Sequence, residues 1–158
     1  MAELDSLHNQ LEARGFVPEQ PLVDRKIVTT SERGMRYVLN IGKDDLPTVV
    51  YQVDGVIITV GNKCDKLVLV NRSENNWCEV FVELKGKNVS HAVEQLRSSL
   101  NAEVLKHPTN KEIRARIVAV SFPSNKSDMT LERAKRDFIK RFKCELRGIK
   151  SNQPDMFL

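Results

Sequence analysis

The 158-residue sequence predicts an α/β fold. Three observations carry that prediction. Residues 37–84 fall into short β-rich runs separated by turn residues; after Gly86 the hydrophobic period becomes helical; a buried run at 117–122 then precedes a basic amphipathic helix. The order is an antiparallel meander, a helix, one further strand and the basic helix.

Each element has its own signal. Residues 3–14, ELDSLHNQLEAR, set Leu4, Leu7 and Leu11 at helical spacing, and Gly15 stops the run. PEQP at 18–21 reads as a turn or loop, and YVLNI (37–41) and VVYQV (49–53) as strands. Asp54-Gly55 is a two-residue hairpin signal, with VIITV (56–60) expected as the returning strand and Gly61-Asn62 as the next turn. KLVLV (66–70) runs to the polar tip NRSENN, and WCEVFVEL (77–84) comes back. Val89, Ala92, Val93, Leu96, Leu100 and Val104 form a helical stripe, capped by Asn88 or Ser90 and closed by His107-Pro108. IVAVSF (117–122) is expected as a buried strand, LERAKRDFIKRFK (131–143) as a helix capped by Thr130 or Asp128, and CELRGI as a short last strand. Residues 1–150 are expected as one domain, and residues 151–158, SNQPDMFL, as a flexible C-terminal tail.

The length allows one domain whose core needs no covalent staple. A hydrophobic content of 41% and a charged content of 29% are those of an ordinary soluble protein. The longest apolar runs are strand-length, so no membrane span is expected, and the polar start MAELDSLHNQ has no signal-peptide core. Cys64, Cys78 and Cys144 are odd in number without a CxxC pair, and His8, His91 and His107 are scattered. Disulfide and zinc frameworks are therefore not expected, and a reducing, cytoplasmic setting is.

Charge is unevenly distributed. Residues 1–105 carry 12 Lys and Arg against 15 Asp and Glu, a net of −3, whereas residues 106–150 carry 13 against 5, a net of +8. Such a concentrated basic segment suits a surface that tracks phosphates, or a solvated charged helix.

The stretch FVELKGKNV (81–89) sets Glu83 and Lys85 on one face of an apolar strand. With the hairpin turn centred on Glu74, Asp65 falls opposite Glu83, with Cβ atoms roughly 4.5–5.5 Å apart. Two like charges so close repel, and a bound cation reverses the sign of that interaction. Asp, Glu and Lys converging at a strand edge suit Mg²⁺ and a phosphate, because Mg²⁺ takes carboxylates, retained waters and phosphate oxygens. A salt-bridged surface hairpin is the alternative.

The string CD at 64–65, ELK at 83–85 after a hairpin, and HAVEQL on the following helix resembles the PD-(D/E)xK nuclease superfamily. The resemblance spans roughly residues 50–122 and implies a restriction-endonuclease-like mixed β-sheet flanked by helices. It further implies Asp65, Glu83 and the backbone carbonyl of Leu84 as ligands of Mg²⁺ or Mn²⁺, Lys85 in water activation, and Gln95 contacting the site from the helix. His91 shares the side of Gln95, as a substrate contact or a surface histidine beside the cap. Cys64 stands where the motif has Pro, and the acid of the family's first helix has no assigned position, Glu3 and Glu12 being the candidates.

In the basic segment, Leu131, Ala134, Phe138 and Phe142 keep a narrow apolar stripe. Arg133, Lys135, Arg136, Lys140, Arg141 and Lys143 occupy the rest, for DNA phosphates or for a partner protein. QPDMFL resembles the short peptide by which bacterial replication and repair proteins bind the sliding clamp, with Gln153, Asp155, Met156, Phe157 and Leu158 as contacts. A strand end docked on this protein's own core is the other reading.

These readings point to a metal-dependent endonuclease acting on DNA. A noncatalytic DNA- or clamp-binding adaptor and an RNA-cleaving effector are the alternatives. A homodimer suits the small size, since cutting both strands of a duplex needs two sites.

Overall fold

Ser6 opens the first helix by accepting the Asn9 amide on its hydroxyl at 3.0 Å. The helix, α1 (Leu7–Ala13), ends at Gly15, whose φ of 91° suits a residue without Cβ. The computed structural model describes residues 6–84, 88–122 and 126–158, and of 126–128 the backbone alone. After α1 come β1 (Gln20–Arg25), β2 (Ile27–Glu32), β3 (Met35–Asn40), β4 (Leu46–Gln52), β5 (Lys66–Ser73) and β6 (Asn76–Leu84). Then follow α2 (Val89–Asn101), a 3-10 turn (Glu103–Leu105), β7 (Asn110–Ala119), α3 (Lys126–Phe142), β8 (Cys144–Lys150) and β9 (Pro154–Met156).

The strands form a six-stranded mixed sheet, in the order β1-β4-β5-β6-β7-β8, and a three-stranded sheet, β2-β3-β9. The β1, β4, β5 and β6 neighbours are antiparallel. The two parallel steps, β6 to β7 and β7 to β8, each cross over through a helix, as parallel neighbours require.

Alternation along β5 and β6 divides the core in two. Leu67, Leu69 and Phe81 pack with Leu7 and Leu11 of α1, Leu96 of α2 and Phe138 of α3. Val68, Val70, Val80 and Val82 pack with Val28, Tyr37, Leu39 and Phe157 of the smaller sheet's side. The architecture is thus mixed α/β in three layers. The described helices share one core, and a small sheet covers the opposite face.

Several sequence expectations are corrected. PEQP does not form a loop throughout: Gln20 and Pro21 begin β1, an edge strand, where a residue without an N–H is tolerated. VIITV is not a strand. The amides of Val56, Ile57 and Ile58 all turn back onto the Val53 carbonyl at 3.3, 3.1 and 3.0 Å, and β1 and β5 already flank β4. Asn88 caps α2, which ends at Asn101, before His107-Pro108. β7 runs from Asn110 to Ala119: it starts seven residues before Ile117, with the charged Arg114 and Arg116 buried within it, and stops short of Phe122, leaving Val120 exposed. Asp128 and Thr130 lie inside α3 and do not cap it.

The largest correction concerns residues 151–158, which are not a flexible tail. β9 pairs in parallel with β3, Leu39 opposite Asp155. Phe157 is buried, with the guanidiniums of Arg72 and Arg114 at 4.2 and 4.6 Å from its ring centre. The reason is electrostatic. Arg116, 0% exposed, donates from Nε to Asp155 Oδ2 at 2.7 Å, and the Tyr37 hydroxyl donates to the same oxygen at 2.6 Å. A buried cation of the central sheet takes its counter-charge from this segment.

Candidate active site

β5 and β6 pair in the register expected for a turn around Glu74, with Leu67 opposite Phe81 and Lys66 opposite Val82. One further step sets Asp65 beside Glu83. Asp65 is 1% exposed and Glu83 0%. The Asp65 backbone is tied to both neighbouring strands: its N–H donates to the Val82 carbonyl at 3.1 Å, and its carbonyl accepts from the Val53 amide at 2.9 Å.

The Asp65 carboxylate is held from two sides. Oδ2 accepts the Leu84 amide at 2.7 Å, and Oδ1 accepts Nη2 of Arg33 at 2.9 Å. Leu84 therefore touches Asp65 through its N–H. Arg33 stands at the tip of the β2–β3 hairpin, where Arg33 and Gly34 have φ of 51° and 78°. Successive positive φ values are those of a two-residue hairpin turn, and they bring the arginine over the ends of β5 and β6. Burial opposes its charge, yet Asp65, Glu32 and Glu83 together hold the Arg33 guanidinium above its ordinary pKa. Glu32 is pushed upward by burial and by its hydrogen bond to Asp65 and the charge there. Lys66, also buried, is bound to Glu19 and donates to Gln52 Oε1 at 2.5 Å. With that pair matched, Arg33 interacts with all three acids, Asp65 most strongly, then Glu32 and Glu83.

α2 fixes the approach to Asp65. Gln95 Oε1 accepts the Lys63 amide at 3.0 Å, and the Ser99 hydroxyl accepts the Cys64 amide at 2.8 Å. Gln95 thus reaches the strand-entry loop, two residues before Asp65. Ser99 continues its helical face and was readable as a polar residue at i+4. Cys64 is buried, and burial raises its thiol pKa, so it is a neutral packing residue beside the acids.

Lys85 and Glu3 lie outside the described residues. Glu12 is 3.2 Å from His8 Nε2 within α1, and the acid found beside Asp65 is Glu32, from a hairpin. His91 is exposed and donates its amide to the Asn88 cap. Among the described residues, no three carboxylate, imidazole or thiol groups come together to hold a metal.

α3 buries Leu131, Ala134 and Phe138 and exposes Arg133, Arg136, Lys140 and Arg141, with Lys135 half-buried; Lys143, also exposed, lies just past its end. Lys135 pairs with Glu132 at 3.1 Å and Arg141 with Asp137 at 2.9 Å. Of the proposed clamp contacts, Asp155 and Phe157 are buried, while Gln153, Met156 and Leu158 are exposed.

A second buried acid lies on β6. Glu79, 2% exposed, shares the strand face of Phe81 and Glu83, and burial raises its pKa well above the ordinary 4.5. The folded chain keeps a proton that the unfolded chain releases near 4.5. This contribution to stability is complete below that pH and is lost as pH rises toward the folded pKa. Glu79→Gln, never ionised, is expected to flatten this decline. Urea unfolding of parent and variant at pH 5 and pH 8 measures it; a parallel decline in both would assign the pH dependence to other groups.

No protein-family model, curated protein or solved structure matches the chain. No helix among the described residues is long and apolar enough to cross a membrane.

Proposed function

We propose that the chain is a metal-dependent endonuclease of restriction-endonuclease-like fold that hydrolyses phosphodiester bonds in DNA. The observation that carries this reading is the burial of two carboxylates, Asp65 and Glu83, at adjoining ends of neighbouring strands. Two acids brought side by side repel, and a cation bound between them reverses the sign of that interaction. The meander β4-β5-β6, the helix α2 and the parallel strand β7 support the same reading.

The residues fit Mg²⁺ or Mn²⁺. Asp65 keeps a lone pair beyond those used by Leu84, Arg33 and Glu32, and magnesium needs few protein ligands because it retains waters. Asp65, Glu83 and the Leu84 carbonyl would hold the ion. When bound, it supplies Lewis-acid polarisation of the phosphate and a more acidic water. Gln95 and Ser99 fix the loop that aims Asp65. Lys85 orients the attacking water and offsets charge developing on the phosphate. Arg33, half exposed, can meet a phosphate beside Asp65, and the exposed cations of α3 bind the strand without reading sequence.

The test is incubation of plasmid, single-stranded and branched DNA, and RNA, with Mg²⁺, Mn²⁺ or EDTA. Cleavage of DNA that EDTA abolishes is expected. Preference for RNA makes the chain an RNA-cleaving effector, and no cleavage of any substrate overturns the reading.

The Arg33–Asp65 pair favours one second reading, a noncatalytic DNA- or clamp-binding adaptor in which the guanidinium permanently takes the place of an ion. It predicts salt-sensitive binding without turnover at any Mg²⁺ or Mn²⁺ concentration. Clamp binding through Gln153–Leu158 would require β9 to leave β3, because Phe157 and Asp155 are buried.

Under both readings, reversing Arg136 and Lys140 to Glu is expected to weaken DNA binding. It should also reduce the slope of log K against log salt by about one for each lost phosphate contact. Titrations at several salt concentrations measure that slope, and an unchanged slope would move the DNA away from α3.

A further inference from the structure

A cleft of about 510 Å³ opens between the C-terminal ends of α2 and α3, and Glu79 and Asn110 lie in it. The two side chains face each other within hydrogen-bonding range, and Glu79 Oε2 and Asn110 Nδ2 and Oδ1, all buried, make no well-aligned hydrogen bond with any described residue. Buried polar atoms without aligned partners are rare, because each gives up its water and gains no full bond in return. Here they sit together in the wall of one cleft, a donor beside acceptors.

Around them the walls are apolar. Phe81, Leu100 and Leu105 are buried, and Phe142 stands edge-on to Phe138 at 5.6 Å. At the opening stand Arg141 and Lys106, both well exposed and each paired with an acid that a ligand anion can replace, Asp137 at 2.9 Å and Glu103 at 3.1 Å. His107 adds a donor there. Its Nδ1 accepts the Thr109 amide at 3.2 Å, so the neutral ring carries its proton on Nε2.

A ligand that matches this cleft is flat, has apolar faces and an edge of mixed donors and acceptors, and ends in an anion. An asparagine amide reads an adenine edge with one donor and one acceptor, and Asn110 carries both functions beside the Glu79 carboxyl. The volume is that of a small-molecule site and many times the roughly 30 Å³ of one water. We propose that this cleft binds a nucleoside monophosphate, its base against Glu79 and Asn110 and its phosphate among Arg141, Lys106 and His107.

The site goes beyond the cleavage reading and does not depend on it. Glu79 and Glu83 are four residues apart on one strand, roughly 13 Å, and α2 begins near Glu83 and ends near the cleft.

Calorimetric titration of the whole chain with AMP, GMP, CMP and UMP tests the proposal, with ribose 5-phosphate and inorganic phosphate as probes lacking the base. At least one mononucleotide is expected to saturate at or below ~1 mM, with both base-free probes at least tenfold weaker. Asn110→Ala should weaken the mononucleotide about tenfold. Arg141→Ala, on the exposed rim, should weaken the mononucleotide but not the matching nucleoside, a readout that does not disturb the core. Glu83→Ala should leave nucleotide binding unchanged, so loss of cleavage and loss of this site are told apart. A 5′-phosphorylated dinucleotide that binds more tightly than the mononucleotide assigns the cleft to a strand end, and one that binds more weakly assigns it to free nucleotides. Absence of saturation by every mononucleotide, equal binding of ribose 5-phosphate, or insensitivity to both Asn110→Ala and Arg141→Ala overturns the assignment.

Discussion

Glu83→Gln is expected to lower Mg²⁺-dependent DNA cleavage by about 10²–10³-fold or more while the protein stays folded. That is the size of loss when one preorganised electrostatic stabiliser is removed from a reacting site. The substitution keeps the shape of a side chain with no exposed surface and removes one of three acids grouped around Arg33. Repulsion among Glu32, Asp65 and Glu83 falls, so stability should hold or rise as activity is lost. A purely structural glutamate predicts the opposite pairing, less stability with rates unchanged. Initial rates of plasmid nicking together with urea unfolding separate the two. Lys85→Ala is expected to lose cleavage as well; if both variants cut like the parent, the assignment of this site is wrong.

Asp155→Ala is expected to cost about 3–5 kcal/mol, the loss seen when one member of a buried ion pair is removed. The alanine leaves Arg116 with Glu145 Oε1 at 2.9 Å, a half-exposed partner, and takes the acceptor from the Tyr37 hydroxyl. Against a typical stability of about 5–15 kcal/mol, this brings the fold close to its limit. Arg116→Met should cost a similar amount alone, whereas Arg116→Met with Asp155→Leu should recover much of the loss, because two apolar groups need no partner. Chemical denaturation of the three variants measures the coupling. A single-variant cost below about 1 kcal/mol would mean that Arg116 finds water or another acid.

What could be read from the sequence was whatever rests on local period. KLVLV and WCEVFVEL are strand-length, largely apolar runs on either side of a polar tip, so their register and the approach of Asp65 to Glu83 follow from the turn position alone. The stripe from Val89 to Val104 likewise gave α2, overshooting its end at Asn101, and with it the side of the helix from which Gln95 reaches Lys63. What could not be read depends on contacts distant in sequence. Arg33-Gly34 is an unusual hairpin dipeptide, since arginine rarely adopts positive φ, and nothing in SERGM shows that the turn lands on an acid 32 residues later. VIITV has a strand's composition, but both sides of β4 are taken. SNQPDMFL has a tail's composition, and only the buried Arg116 explains why it docks.

The pairing of β9 with β3 also constrains the order of events at the ribosome. Tyr37 and Asp155, which meet through one hydrogen bond, are 118 positions apart. Until the last of these residues is delivered, Arg116 lacks its counter-ion and the inner face of β3 lacks its neighbour. Synthesis at about 5–20 residues per second leaves this layer open for several seconds. A nascent chain stalled before residue 154 would expose an unpaired β-edge, and that intermediate is the form most in need of a chaperone.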